Sequence, residues 1–261
     1  MPKLTYTYAD ISGRGIPARH LLAHAKADYI EESYDYKNSH KNNENSTNPK
    51  GHLIKNWPND KEILQKSNPF VLLPYLKTEE NKIISSTLGI MVYLGKRFGY
   101  LTSDDDFEIL NAFDQAHELR EGFIKCVSNE NLHALYVDKD CYIGPWRNLA
   151  VFELKLEQNK TCKYLFSNTT LSITDFYLFS TLTMMFKWHK NILKNYPNLK
   201  IWYENMLGEE GLAEQVEKEK DEPIGGHQDG YDELAVRYRV PMAEDGLFWG
   251  VPGKMEAKIL K

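Results

Sequence analysis

The stretch Asn68–Ser86, NPFVLLPYLKTEENKIISS, decides the fold. Two apolar runs, 70–76 and 82–84, flank the turn-like TEEN and read as an antiparallel hairpin. Pro74 reads as a proline opening a strand, and an X-Pro bond is cis in about 5–6% of cases. A cis Leu73-Pro74 bond would turn the preceding backbone N–H and C=O outward, ready to pair with an extended peptide as an added strand. Upstream, residues 3–8 alternate as a strand. IPARHLLAHAK (16–26) places Ile16, His20, Leu21 and His24 at helical spacing, with Pro17 tolerated in a first turn. YIEESYDY (29–36) reads as a second strand and KEILQK (61–66) as a short helix. Residues 37–56, rich in Asn, Lys and Ser, are too polar to build a core and read as a loop insertion. Downstream, STLGIMVYLGKRFG (86–99) has helical periodicity and a glycine stop.

The order is therefore β-α-β-α-β-β-α, with a parallel first half and an antiparallel hairpin. That is the connectivity of a thioredoxin-like α/β domain over residues 1–99. After Gly99 the pattern changes. Ser103 and Asp106 form an N-cap signature ahead of a long amphipathic helix, and 146–158, 172–190 and 196–207 also read as helices. An all-α domain is expected over 103–207, followed by a C-terminal extension, 208–261. The charged run EKEKDE (217–222) in that extension reads as a solvated helix face.

Charged residues make up 26% and hydrophobic ones 42% of 261 residues, with a net charge of −5, the balance of an ordinary globular protein with no basic surface for nucleic acid. No apolar run approaches the ~20 residues of a membrane span, and the N-terminus reads as a strand rather than a secretory signal. Cys126, Cys141 and Cys162 form no Cys-x-x-Cys pair and no metal-like spacing, which fits a reducing, cytoplasmic setting. His20 and His24 have the i, i+4 spacing of a metal pair but no third ligand nearby, so a surface or core role is expected and no metal.

The turn YADISGRG (8–15) poses the chemical question. Tyr8 sits at the lip of a strand, just before a helix N-terminus. Either it is a core aromatic, or its hydroxyl donates to a ligand. Tyr6, two residues back on the same face, reads as core. GRG lacks the spacing and following lysine of a phosphate loop. Ser172 and Asp175 read as a structural capping pair.

Four stretches resemble the cytosolic glutathione transferases of the tyrosine-using type, nearest the mu and sigma classes. Tyr8-Ala9-Asp10-Ile11-Ser12-Gly13-Arg14 resembles their tyrosine-containing start, with Arg19 on the helix arginine. Asn68 to Leu76 resembles the Pro-Phe-x-x-x-Pro approach to the cis-proline strand. Ser86-Thr87-Leu88-Gly89-Ile90 falls where the family has Gln/Glu-Ser-x-Ala-Ile. Leu171 to Phe176, followed by Tyr196-Pro197-Asn198-Leu199, resembles the capping box and next helix of the α-domain. The resemblance spans roughly residues 3–207.

It implies a thioredoxin-like domain binding glutathione as co-substrate, and an α-domain forming the pocket for a small hydrophobic electrophile. The reaction would be conjugation by the glutathione thiolate, in a homodimer. Tyr8 would be catalytic. A thiol of pKa ~8.5 is mostly protonated at pH 7. A majority of thiolate needs a shift beyond ~1.5 units, roughly 2 kcal/mol, within reach of one charge-assisted hydrogen bond plus a helix dipole. Ser12 is the rival, since other classes use a serine near this turn, but its distance from Arg19 favours Tyr8. Arg14 would add positive charge near the sulfur. Ser86 and Thr87 would hold a carboxylate at a helix N-terminus, Leu73 beside Pro74 would pair with the cysteinyl backbone, and Trp57 and Lys61 would hold the glycine carboxylate. Glu118 falls near the acidic residue that reaches a neighbouring subunit's ligand. Ala9 in place of tryptophan, and Ser86 in place of Gln/Glu, depart from the family and bear on glutathione affinity. Two alternatives follow: a glutathione-dependent prostaglandin-type isomerase, suggested by Arg14, and a non-catalytic binding or structural member.

Overall fold

The computed structural model describes residues 3–34, 57–101, 106–128, 146–159, 163–188 and 191–222. The insertion expected at 37–56, the cap Ser103, Cys141, Cys162 and the chain beyond 222 lie outside the described residues. Two compact units emerge: within the described residues the first takes 3–101 together with 209–222, and the second 106–208.

The first unit contains β1 (Leu4–Ala9), α1 (Ile16–His24), β2 (Tyr29–Tyr34), α2 (Trp57–Gln65), β3 (Tyr75–Lys77), β4 (Ile83–Ser85) and α3 (Thr87–Phe98). The second holds α4 (Asp106–Ser128), α5 (Trp146–Gln158), α6 (Ile173–Trp188) and α7 (Pro197–Leu207); α8 (Leu212–Glu219) then returns to the first unit.

The sheet runs β2-β1-β3-β4, with β1 parallel to β2 and the other neighbours antiparallel, as the order of elements requires. Alternation along the strands sorts the side chains between two faces. Tyr6 and Tyr8 point to the α1 side, where Tyr6 is fully buried and its hydroxyl donates to the Gly15 carbonyl at 2.8 Å. Burial, above all, raises its pKa well above the ordinary phenol value. Tyr34, Val71 and Tyr75 form the core of the opposite face, covered by Trp57 and Leu64 of α2 together with Leu73 and Ile83. Gly99, at φ 81°, closes α3 in the left-handed conformation that glycine adopts without a Cβ penalty.

Three local expectations need correction. α2 begins at Trp57, not Lys61, because Pro58 suits a first helical turn and Asp60 faces its positive end. The apolar run 70–74 is not strand: Ser85 Oγ accepts the Leu72 N–H at 2.7 Å and lies 3.2 Å from the Phe70 carbonyl, satisfying backbone groups that a ladder would have used. Phe70 stands 84% exposed there. The run 217–222 is solvated only in part: Glu217, Lys218, Lys220 and Asp221 are exposed, but Glu219 and Glu222 are buried.

In the helical unit α4 packs on α6, and α5 on α7. α6 is apolar almost all round and buried over most of its length, the mark of a central helix. Its entry is a capping box: the Ser172 N–H donates to Asp175 Oδ2 at 2.9 Å and the Asp175 N–H to Ser172 Oγ at 3.2 Å. Asp175 also accepts from the Leu165 N–H at 3.0 Å and Trp202 Nε1 at 3.1 Å.

Candidate active site

Tyr8, next to last in β1, has only 6% of its surface exposed. Its hydroxyl accepts the Arg14 backbone N–H at 2.8 Å. The glycines of the Ser-Gly-Arg-Gly turn exist for this contact. A Cβ on Gly13 would stand 2.3 Å from the Tyr8 hydroxyl oxygen, and one on Gly15 2.2 Å from Tyr8 Cδ1. At these two positions the turn approaches the phenol so closely that no side chain fits.

Arg14 joins a second element to the same point. Its carbonyl accepts the Thr87 hydroxyl at 3.1 Å, tying the start of α3 to the turn. The Arg14 side chain is exposed, so its main chain does the organising. Ser86, the N-cap of α3, accepts the Gly89 N–H at 3.3 Å. It holds φ 69° and ψ 149°, a conformation close to a region reserved almost for glycine. Thr87 and Leu88 contribute first-turn N–H groups that have no acceptor within the helix.

Leu73–Pro74 is cis. The β1–β3 register pairs Thr7 with Tyr75, so Pro74, just ahead of β3, lies at the end of the sheet where β1 finishes. Trp57 stacks on Tyr75 with ring centroids 6.2 Å apart and meets Tyr34 edge-on at 5.5 Å, on the same cluster that Leu73 covers. Lys61 lies one turn further along α2 and is half-buried. Tyr8, Arg14, Pro74, Ser86 and Thr87 thus lie at one end of the sheet, while Trp57 and Leu73 pack on the opposite face against Tyr34 and Tyr75. Glu118 belongs to the helical unit, where Asn148 Nδ2 donates to it at 3.5 Å. The rival Ser12 is fully buried, with its hydroxyl 3.5 Å from the Glu222 carbonyl.

The turn at Arg14 thus links the buried phenol to the start of α3, and α1 begins just beyond it. The donors suit anions: a thiolate at the phenol, a carboxylate at the start of α3. Residues 147–210 match the family model of the glutathione S-transferase C-terminal domain. Solved structures align over nearly their whole length. The Pi-class glutathione S-transferase of Onchocerca volvulus superposes with a TM-score of 0.67 at 17% identity, covering 86% of this chain and 98% of that one. The glutathione S-transferase of Ascaris lumbricoides gives 0.63 at 19%, covering 84% and 98%. Prostaglandin synthase D of Nilaparvata lugens gives 0.63 at 20%, covering 83% and 98%. No curated protein sequence matches the chain.

The chain has the glutathione transferase fold. Among the described residues no cluster of His, Cys, Asp or Glu could hold a metal ion, and no helix is long and apolar enough to cross a membrane.

Sequence reading missed the buried charges behind this site. Arg19 Nε lies 2.6 Å from Glu31, its Nη1 3.1 Å from Glu222, and His20 Nε2 3.1 Å from Glu219. Burial alone would lower the Arg19 pKa, but the three carboxylates outweigh it and hold it well above the ordinary value. The signal was there in α1, a helix buried from Ile16 to Leu22 with Arg19 and His20 inside it. Buried charges require partners.

Proposed function

We propose that the protein is a glutathione transferase, in which Tyr8 donates its hydroxyl hydrogen to the sulfur of glutathione and favours the thiolate that attacks an electrophilic carbon. The observation that carries this reading is the Arg14 N–H held on the Tyr8 oxygen. An oxygen that already accepts a hydrogen bond donates its own proton more strongly and better tolerates the charge that develops. The N-terminus of α1 begins just beyond the turn and adds its dipole. Ser86 and the first-turn amides of α3 suit the γ-glutamyl carboxylate, the Leu73 backbone suits the cysteinyl unit, and Trp57 with Lys61 suits the glycine end. The helical unit, Glu118 included, would serve the hydrophobic electrophile and the neighbouring subunit's ligand.

The deciding experiment is a pH titration of bound glutathione by thiolate ultraviolet absorbance, in wild type and Tyr8→Phe. Thiolate formed well below the free thiol's pKa in wild type alone supports the reading. Glutathione bound with no shift rejects it and leaves a non-catalytic binder; a Tyr8→Phe curve matching a shifted wild type also rejects it, assigning the tyrosine to the core and turning to Ser12.

The likeness to prostaglandin synthase D of Nilaparvata lugens favours a second reading, a glutathione-dependent isomerase using the same thiolate. Product analysis separates them: the isomerase returns glutathione unconsumed. A homodimer in the cytoplasm completes the proposal. Phe70, 84% exposed, and the half-exposed Leu72 give the first unit an apolar surface for a second copy to cover. Sedimentation velocity should show a dimer in wild type and a shift toward monomer in Phe70→Ser.

A further inference from the structure

Behind the glutathione-facing turn, the first unit violates the rule that elements packed together present apolar faces. Tyr29, Glu31 and Ser33 of β2 are spaced two apart and share one side of the sheet, the side that faces α1. From the opposite direction come Gln215, Lys218, Glu219 and Glu222, at the i, i+3, i+4 and i+7 positions of one helical face that starts in α8. Arg19 and Asp10 close the remaining sides. These residues enclose a cavity of about 350 Å3, the lower end of the size range for small-molecule sites.

We propose that this cavity is a second binding site, taking a small organic dication such as a linear diamine. Three observations carry it. The lining holds four carboxylates, of Asp10, Glu31, Glu219 and Glu222, against two cations, Arg19 and Lys218, so its formal balance is −2 and an anion is disfavoured. Among the described residues the Ser33 hydroxyl, 3% exposed and on the cavity wall, finds no hydrogen-bond partner. A buried hydroxyl left unsatisfied is costly, and a ligand N–H donor is what its oxygen lacks. The carboxylates do not converge as a metal cage does: among the described residues no such cluster exists. An ammonium, with three donors spread in space, fits acceptors that are dispersed around a wall.

Arg19 and His20 hold the acidic wall in place from α1, through Glu31, Glu222 and Glu219. Gln215 Nε2 donates to Glu219 Oε1 at 2.7 Å, and the Tyr29 hydroxyl to Glu31 Oε2 at 3.2 Å. These contacts orient the carboxylates on the wall, whose oxygens can each accept more than one hydrogen bond. Lys218, with 62% of its side chain exposed, stands at the mouth as the one lining cation open to solvent.

The test is isothermal titration of the full chain with 1,4-diaminobutane at pH 7, with 1,4-butanediol as the uncharged match. Saturable binding of one diamine per chain, and none of the diol, is expected. Ser33→Ala should weaken the diamine about tenfold, the worth of one hydrogen bond to a charged group. The same variant should melt no lower than wild type, because it removes a polar atom that lacked a partner. Lys218→Gln should tighten binding about twofold, a small effect because the charge is exposed. Absence of saturable heat up to about 10 mM diamine, an affinity too weak for a built site, overturns the proposal. So does equal binding by wild type, Ser33→Ala and Lys218→Gln, which would assign the heat to the acidic surface at large.

Discussion

At Tyr8 the ring belongs to the core, and catalysis is what the proposed function adds. The ring is buried and the hydroxyl accepts the Arg14 N–H. If it activates the sulfur, Tyr8→Phe should raise the bound thiol's pKa by about 1–2 units and cut turnover of a generic aryl halide about 10–100-fold at pH 7. The flanking glycines discriminate further. In Gly13→Ala the new methyl meets the tip of the phenol, so the hydroxyl is displaced while the fold stands; kcat should fall with little change in the urea midpoint. In Gly15→Ala the methyl meets Tyr8 Cδ1 and Cγ and the buried Tyr6 hydroxyl, none of which can swing aside. That variant should lose about 1–3 kcal/mol of stability, the usual cost of overpacking, read by urea denaturation.

Among the elements, α6 depends on a single carboxylate. Asp175 collects four donors, from the Ser172 hydroxyl and N–H, the Leu165 N–H and Trp202 Nε1, all buried. Burial raises its pKa above the ordinary carboxyl value, and the hydrogen bonds offset only part of that. Asp175→Ala would strand these donors, each costing about 1–3 kcal/mol, so a loss of at least about 3 kcal/mol is expected in urea denaturation. The capping pair was legible in the sequence because its two members lie three residues apart. The partners Leu165 and Trp202 were not, since nothing in local spacing points to residues 10 and 27 positions away. The same limit explains the misread apolar run at 70–74. Hydrophobicity and β-propensity favoured a strand, but a side chain from another element, Ser85, took its backbone groups.

For the whole molecule, the return of α8 to α1 sets a pH dependence. Burial of Glu219 would raise its pKa, but His20, Arg19 and Gln215 outweigh burial and hold it below the ordinary 4.5. A carboxyl depressed in the folded state contributes stability that is fully present above its unfolded value and is lost as pH falls through the folded one. The melting temperature of wild type should therefore drop below about pH 4.5. Glu219→Gln should melt lower than wild type at pH 7 yet show a shallower acid limb. Parallel acid limbs in the two proteins would count against the network.

By itself the sequence determined the elements and their order, because turn residues, apolar periodicity and helix caps act over a few neighbours. It determined the α/β-then-all-α division, and it put Tyr8, Pro74 and the Ser86–Thr87 pair at turns that a thioredoxin-like order brings together. Only the tertiary structure decided that Gly13 and Gly15 are spaces for a phenol ring, that Ser86 holds a near-glycine conformation, and that Glu219 and Glu222 are interior. Charge looks the same in a sequence whether water or a buried arginine faces it. Which of the two it meets depends on contacts some 200 residues apart, between Arg19 or His20 and the end of α8, and no local pattern carries information across that distance.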